Sequence, residues 1–338
     1  MKPRIKKGKT EIEKLERSVR CLFREKGQKA LEIAKEAMLK EIKAVSSQEA
    51  REATRYFISE YWNDLASPTL ISLGCEAVGG DLADAIPVAI PVILISGAVD
   101  IHDDIIDKSK TKYGRLTVLG KYGKEIALLV GDALLIKGFT LLHAAVQRFP
   151  QKEFLIMNVI KNSFFELGDA EALELKFRKN LDTMPQEYIH AMTKKAADVE
   201  GLLRIGAIIG NGSTEEIDAL GYYGRSFGLL SILRDDWIDI IDYKEAKHRL
   251  QFENLPLPIL YALQNPKAKS EIKQILRKGN VTGQDIQKIF EITEKYEGFK
   301  QSRETMLSFA KKAEECLDEI KTKSTGLRTL LHFVTTIE

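Results

Sequence analysis

The sequence predicts an all-α fold: one helical bundle over residues 1–338, with two inner helices aimed at a shared cavity. Three observations predict it. Apolar residues recur at helical spacing along almost the whole chain, and no segment alternates in the manner of a strand between tight-turn signals. Hydrophobic residues make up 44% of the 338, enough for a sizeable core. The form DDxxD occurs twice, as Asp103-Asp104-Ile105-Ile106-Asp107 and Asp235-Asp236-Trp237-Ile238-Asp239, each time inside an otherwise apolar, helix-like segment.

The elements follow in order. The first ten residues, opening MKPRIKKGK, read as a flexible basic tail. Residues from about Thr10 to Val45 are charged and amphipathic, and 48–62 continue helically. Pro68 opens another helix, where its missing N–H does no harm, and Gly79-Gly80-Asp81 ends it. Residues 82–107 form a long apolar helix that turns acidic in its last turn. Residues 108–120 are a loop containing Tyr113-Gly114-Arg115. Two long helical patterns cover 121–148 and 151–178, and Pro185 introduces 186–210. Ser213 or Thr214 is the N-cap of a helix over 215–243, which carries the second acidic run. Residues 244–254 are a polar stretch. Pro256 and Pro258 start a further helix, and the C-terminal third is again amphipathic and charged.

Composition excludes several functions. The 51 basic and 49 acidic residues leave a formal charge of +2, and neither half is strongly basic, so nucleic acid is not the expected partner. No apolar stretch follows the basic start, so no signal peptide is expected. The most apolar run, residues 86–99, is shorter than the ~20 residues a membrane span needs. It holds Pro87 and Pro91 and runs into His102-Asp103-Asp104, as a buried core helix does. Cys21, Cys75 and Cys316 are far apart and odd in number, which suggests reduced thiols in a cytoplasmic protein.

The two acidic runs carry the chemistry. Helix positions i and i+4 share a face, so Asp103 sits above Asp107 and Asp235 above Asp239, with Asp104 and Asp236 about 100° round. Such a stripe repels itself unless hard cations neutralise it, and Mg²⁺ favours carboxylate oxygens together with the oxygens of a substrate phosphate. Two facing stripes make a metal clamp for a diphosphate. All six aspartates form the expected catalytic set, with Asp103, Asp107, Asp235 and Asp239 as the metal ligands. A neutralised diphosphate leaves an allylic carbon readily. The carbocation left behind requires an apolar, water-free pocket, which residues 91–99 supply. A lone DDxxD is a weak signal, because exposed helices often carry acid clusters; two with matching spacing and apolar context are much harder to dismiss.

These residues resemble the trans-isoprenyl diphosphate synthases of the polyprenyl synthetase family. The resemblance runs from roughly residue 50 to residue 260. Residues 102–139, including Gly131-Asp132-Ala133-Leu134-Leu135, are similar to the family's first aspartate-rich region. Residues 70–81 look like the helix before it, and 228–242 like the second aspartate-rich region. The resemblance implies an isoprenoid-synthase bundle around a deep central cavity, a homodimer, and three Mg²⁺ ions bound with the substrate diphosphate. It also implies an allylic prenyl diphosphate as substrate and isopentenyl diphosphate as the nucleophile. His102 is expected to orient its neighbours rather than to ligate metal. Ala98 and Val99 stand where the family gates its shaft, and their small size suggests room for a product longer than C10.

The chain departs from the family where the isopentenyl diphosphate would bind. The lysine and arginine of the GGKxxRP-like segment are Asp64 and Ser67, and the usual histidine or glutamine is Ser96. The paired arginines after the first run are Lys112 and Tyr113. Each missing cationic partner is worth about 1.5–3 kcal/mol. Arg115, Arg51, Arg55, Lys121 and Lys124 lie near enough in sequence to be replacements. Glu171 and Glu174 stand in the Gln-x-x-Asp-Leu pattern. Lys194 or Lys195 takes the place of the lysine that holds the leaving diphosphate, and Lys244, Lys247 and Arg249 are the candidates for the basic positions after the second run. Asp100, one turn deeper than Asp103 and Asp104, stands where the family is apolar. It reads either as a paired acid or as a functional carboxylate in the pocket.

The expected activity is therefore a Mg²⁺-dependent prenyltransferase that extends an allylic diphosphate with isopentenyl diphosphate. Two alternatives stay open: a one-substrate terpene cyclase or diphosphate lyase, motivated by the depleted second site and Asp100, and a non-catalytic subunit of a heteromeric synthase.

Overall fold

The computed structural model describes residues 3–112, 114–278, 281–320 and 324–336. The helices are α1 (Pro3–Glu41), α2 (Gln48–Tyr56), α3 (Ala66–Ala77), α4 (Leu82–Ile106), α5 (Val118–Tyr122), α6 (Lys124–Val146), α7 (Glu153–Phe177) and α8 (Pro185–Lys195). They continue as α9 (Ala197–Ile209), α10 (Thr214–Ile241), α11 (Tyr243–Phe252), α12 (Leu257–Ala262), α13 (Pro266–Leu276), α14 (Gly283–Lys295), α15 (Gly298–Asp318) and α16 (Thr325–Thr335). The expected tail falls partly outside the described residues, at 1 and 2; from Pro3 the backbone is helical. The chain divides into two compact units.

The first unit comprises Met1–Asn158, Leu202–Ile217 and Ile320–Gly326. Its centre is α4, which packs on α1, α3, α5 and α6. Phe57, Ile58, Ile71, Ile93, Leu94, Ala98, Ile101, Leu134 and Leu142 are all at most 1% exposed, and each large side chain buried this way contributes about 1.5–3 kcal/mol. Pro87 and Pro91 lie inside α4, and each deletes an i→i−4 hydrogen bond. The helix continues through them because neighbours enclose it on several sides.

Glycine sets the approach of α6 to α4. A Cβ on Gly131 would lie 2.5 Å from His102 Nε2, and one on Gly138 would lie 2.6 Å from Ile95 Cγ1. The two pairs are offset by seven residues in opposite senses, so α6 runs antiparallel to α4 in a fixed register. By length and composition alone, both α4 and α6 are long and apolar enough to cross a bilayer. The most apolar window of α4 is 56% buried inside the protein, whereas that of α6 is 33% buried. Leu128, Leu129 and Ile136 of α6 are exposed.

Three local features differ from the sequence expectation in this unit. The loop after the first run contains a two-residue hairpin, β1 (Thr111–Lys112) against β2 (Arg115–Leu116), paired antiparallel. Gly114 adopts a φ of 73°, which a tight hairpin turn requires. Strands this short leave no alternation to read. After α2 the helix opens into a π-turn over Phe57–Tyr61, closed by Trp62 N–H donating to Phe57 O at 2.8 Å. Gly123, at φ 84°, then separates α5 from α6, where the sequence suggested one helix.

The second unit comprises Val159–Gly201, Asp218–Glu319 and Leu327–Glu338. Here α12 packs on α8, α14 and α15, and α11 packs on α14. Arg225 of α10 ties several helices together: it donates to Glu166 of α7 at 2.7 Å, to Thr193 O of α8 at 2.9 Å, and to Glu200 of α9 at 2.5 Å. The polar stretch 244–254 is a helix over most of its length, α11. Asp242 caps it, accepting from Lys244 N at 2.8 Å and Glu245 N at 3.2 Å, while Ala246 and Leu250 are buried four residues apart.

Candidate active site

The first acidic run ends α4. Asp103 and Asp107 are half-buried, and Asp104 is 3% exposed, so the run presents two carboxylates outward and turns the third into the protein. Lys112, on β1, places Nζ 3.7 Å from Asp104 Oδ1. Burial alone would lower the Lys112 pKa, but the carboxylates of Asp104, Asp100 and Asp103 hold it well above its ordinary value. Burial raises the Asp104 carboxyl to about 6, with Lys112 opposing and Asp103 adding to the rise. His102 Nε2 lies 3.3 Å from Asp132 Oδ1.

One turn deeper, Ser96, Asp100 and Asp104 follow each other at four-residue spacing and share a stripe of α4. Asp100 keeps a partly open surface, yet protein atoms crowd its carboxyl. Burial, then Asp64, Asp103 and Asp104, raise it to about 7 against the pull of Lys112. Asp100 is thus grouped with Lys112, as well as with other acids. A linkage prediction follows. The unfolded chain loses this proton near pH 4 and the folded chain near 7. The folded state is favoured most below pH 4, and this contribution is lost as pH rises through that window, by no more than about 4 kcal/mol. Asp100→Asn is expected to flatten that part of the stability profile, as urea midpoints at pH 4.5 and pH 8 would reveal. Parallel profiles for mutant and parent would refute it.

The residues around the expected second anion site are placed as follows. Asp64 Oδ1 accepts from Ser67 N–H at 3.0 Å, and Ser67 Oγ lies 3.5 Å from Ser96 Oγ. Arg115 donates to Glu60 O at 2.7 Å. Arg51 donates to Val45 O and Ser46 O, and the Lys121 ammonium sits 3.7 Å from the Tyr56 ring centre. Tyr113 lies outside the described residues. Ala98 is fully buried and Val99 half-buried.

The second run lies in α10. Asp235 is exposed, Asp239 half-buried, and Asp236 entirely buried. Asp236 is the most heavily bonded acid among the described residues of this run. Tyr188 O–H of α8 donates to both its oxygens at 2.9 Å, Arg249 Nη1 of α11 to Oδ1 at 2.5 Å, and Leu257 N–H at the start of α12 to Oδ2 at 3.0 Å. The same Arg249 nitrogen lies 3.1 Å from Asp239 Oδ2. Burial would push the guanidinium pKa down; Asp236, Tyr188, Asp239 and Glu253 hold it well above its usual value. Burial lifts the Asp239 carboxyl to about 6, with Arg249 opposing.

The expected diphosphate lysines meet acids as well. Lys194 lies 2.9 Å from Asp169, and Lys195 lies 2.8 Å from both Glu171 and Glu174. Asn254 Nδ2 donates to Glu174 Oε2 at 2.9 Å. Lys247 is half-buried on α11. Among the described residues, no group of three or more His, Cys, Asp or Glu side chains converges to hold a metal unaided. Within each run taken by itself, Asp103 with Asp107 and Asp235 with Asp239, the donors are hard carboxylate oxygens, the kind that Mg²⁺ takes when a phosphate supplies the remaining oxygens. The sequence names Arg249 only as a candidate basic position after the second run, not as a partner of Asp236, and does not point to Tyr188. The signal for Arg249 was the Asp242 cap with Ala246 and Leu250 at helical spacing; for Tyr188 no signal existed.

The chain, helical over most of the described residues, has the fold of the prenyl synthases. The structure superimposes on geranylgeranyl pyrophosphate synthetase from Pyrococcus horikoshii with a TM-score of 0.81, at 28% identity, covering 94% of this chain and 98% of that one. A polyprenyl synthetase from Streptomyces coelicolor gives 0.80 at 20% identity, a likeness of fold. Among curated proteins, a short chain isoprenyl diphosphate synthase of Methanothermobacter thermautotrophicus is 29% identical over 298 residues, 86% of this chain and 90% of its own length. A geranylgeranyl diphosphate synthase of Methanosarcina mazei is 30% identical over 209 residues, 62% of this chain and 64% of its own length. The polyprenyl synthetase family profile matches residues 65–293, and the chain belongs to that family. It is a prenyltransferase of isoprenoid synthesis.

Proposed function

We propose that this chain is a Mg²⁺-dependent isoprenyl diphosphate synthase that ionises an allylic prenyl diphosphate and extends it with isopentenyl diphosphate. The observation that carries the reading is the first run: Asp103 and Asp107 share one outward face of α4, and Asp104 is withdrawn beside Lys112. Relatives named as short-chain and geranylgeranyl synthases support the elongation reaction and a product in the C20 range. Mg²⁺, when bound, would neutralise the departing diphosphate as a Lewis acid. Candidate ligands are Asp103 and Asp107 in the first run and Asp235 and Asp239 in the second. Lys194, Lys195 and Lys247 are the candidate cations for the diphosphate, and Lys112 and Arg115 those nearest the first run. Ala98 and Val99 shape the apolar pocket.

The exposed leucines and isoleucine of α6 favour a homodimer, because an apolar stripe of this kind gains from cover by a second copy. The test of the reaction is incubation of the purified chain with Mg²⁺, labelled isopentenyl diphosphate and C5, C10, C15 or C20 allylic primers. Label in a longer prenyl diphosphate is the expected result. Release of diphosphate without incorporation from any primer would give the reaction to a one-substrate enzyme instead.

A further inference from the structure

Between Asp107 and Glu125 the chain carries Lys108, Lys110, Lys112, Arg115, Lys121 and Lys124, and no acid. The whole sequence holds 51 basic and 49 acidic residues, so without these six the balance turns acidic. The concentration is local in space as well as in sequence. Lys112 pairs with Arg115 across the hairpin. Thr117 N–H donates to Lys110 O at 3.0 Å and Thr117 O–H to Ser109 O at 2.7 Å, which folds the segment back on itself. Gly120 comes too close to Lys110 O to admit a Cβ, and this brings Lys121 beside the hairpin. Buried Thr117 and Val118 root the segment, and Tyr56 O–H of α2 donates to Leu116 O at 2.6 Å.

Of the six, Lys112 turns inward to Asp104. Lys108, Lys110, Arg115, Lys121 and Lys124 are exposed, and so are Leu116, at 44%, and Ile106 in the last turn of α4. Arg115 donates to a backbone carbonyl, Glu60 O, and Lys121 lies over the Tyr56 ring. Among the described residues, no carboxylate lies within ion-pair reach of any of these five cations. An extended run of cations with apolar side chains among them suits an extended anionic surface with an apolar interior, which is the chemistry of an anionic lipid leaflet. A nucleic acid offers the charge and has no such interior for Leu116 and Ile106.

We propose that residues 106–124 dock this protein on anionic lipid bilayers, with Lys108, Lys110, Arg115, Lys121 and Lys124 at the headgroups and Leu116 at the acyl boundary. The docking is peripheral and reversible. Each basic residue near such a leaflet strengthens binding about fivefold, and salt screens the attraction. The docked surface begins where the first aspartate run ends. Under the reaction proposed above, the prenyl diphosphates are anionic amphiphiles that enter the same leaflet, so substrate and protein meet there; this consequence alone rests on that reading.

The test is co-sedimentation of the full-length protein, in EDTA and low salt, with vesicles of phosphatidylcholine alone or mixed with phosphatidylglycerol. Binding to the mixed vesicles is expected to be at least tenfold tighter than to phosphatidylcholine, and to disappear as salt shortens the reach of the charges. Lys108→Gln/Lys110→Gln should bind the mixed vesicles at least tenfold more weakly, as loss of two such contacts requires. Both side chains are exposed, so this variant should fold as the parent does and keep prenyl transfer to a C10 primer in vesicle-free buffer within twofold. Leu116→Ser should weaken binding while leaving its salt dependence in place. Equal binding of the parent to both kinds of vesicle, or to neither, overturns the proposal. So does parent-like binding by the lysine double variant, or tighter binding of the parent to a short RNA than to the mixed vesicles. Vesicle binding is read without substrate or metal, so its failure and failure of the proposed reaction are separate results.

Discussion

Asp103→Asn is expected to lower the rate of prenyl transfer about 10³-fold while leaving the protein folded. Asp103 is half-buried at the end of α4, on the face it shares with Asp107. A metal at a departing diphosphate supplies several kcal/mol of charge stabilisation. Losing about 4 kcal/mol of it corresponds to three decades in rate. Neutralising the side chain removes the proposed ionic ligand without changing its shape, so the unfolding midpoint should hardly move. The measurement is kcat with labelled isopentenyl diphosphate, alongside a denaturant titration. A variant within tenfold of the parent at saturating Mg²⁺ would take Asp103 out of the metal site.

Asp236→Ala should behave in the opposite way, acting on stability before it acts on rate. The carboxylate is entirely buried and accepts from Tyr188, Arg249 and Leu257 N–H, which belong to α8, α11 and α12. Removing one partner of a buried pair leaves an uncompensated guanidinium and costs about 3–5 kcal/mol. The tyrosine hydroxyl and the amide lose their acceptor too. Urea unfolding followed by circular dichroism should show a midpoint shift of that size. If Asp236→Ala unfolds with the parent and merely loses activity, the residue belongs to the chemistry and not to the joint between helices.

The aspartate runs and the order of the helices were legible because they depend on local spacing. Capping by Ser213, the glycine at 79 and the proline-led starts at 185 and 256 all act within a turn or two of chain. What escaped was non-local. Nothing near Asp104 in sequence distinguishes it from Asp103, yet one is withdrawn and the other outward. The difference is decided by Lys112, which reaches Asp104 only after a hairpin reverses the chain. The same holds for Asp236, whose partners lie 13, 21 and 48 residues away. The helix over 243–252 was hidden by its polar composition, since only Ala246 and Leu250 mark its buried side. The lysines at 194 and 195 were recognisable as candidate cations. That acids at 169, 171 and 174 meet them depends on packing between α7 and α8.

The π-turn at Phe57–Tyr61 has an evolutionary consequence. Such a turn carries one residue more than an α-turn, and here it is the last turn before the chain extends at Trp62. Deleting one residue there would restore α geometry and turn the following segment by about 100° relative to α2. Trp62, Asp64 and Ser67 would all change direction at once, although none of them had mutated. A lineage bearing this turn can thus re-aim its whole leading segment by one codon gained or lost, a much shorter path than substituting each residue in succession.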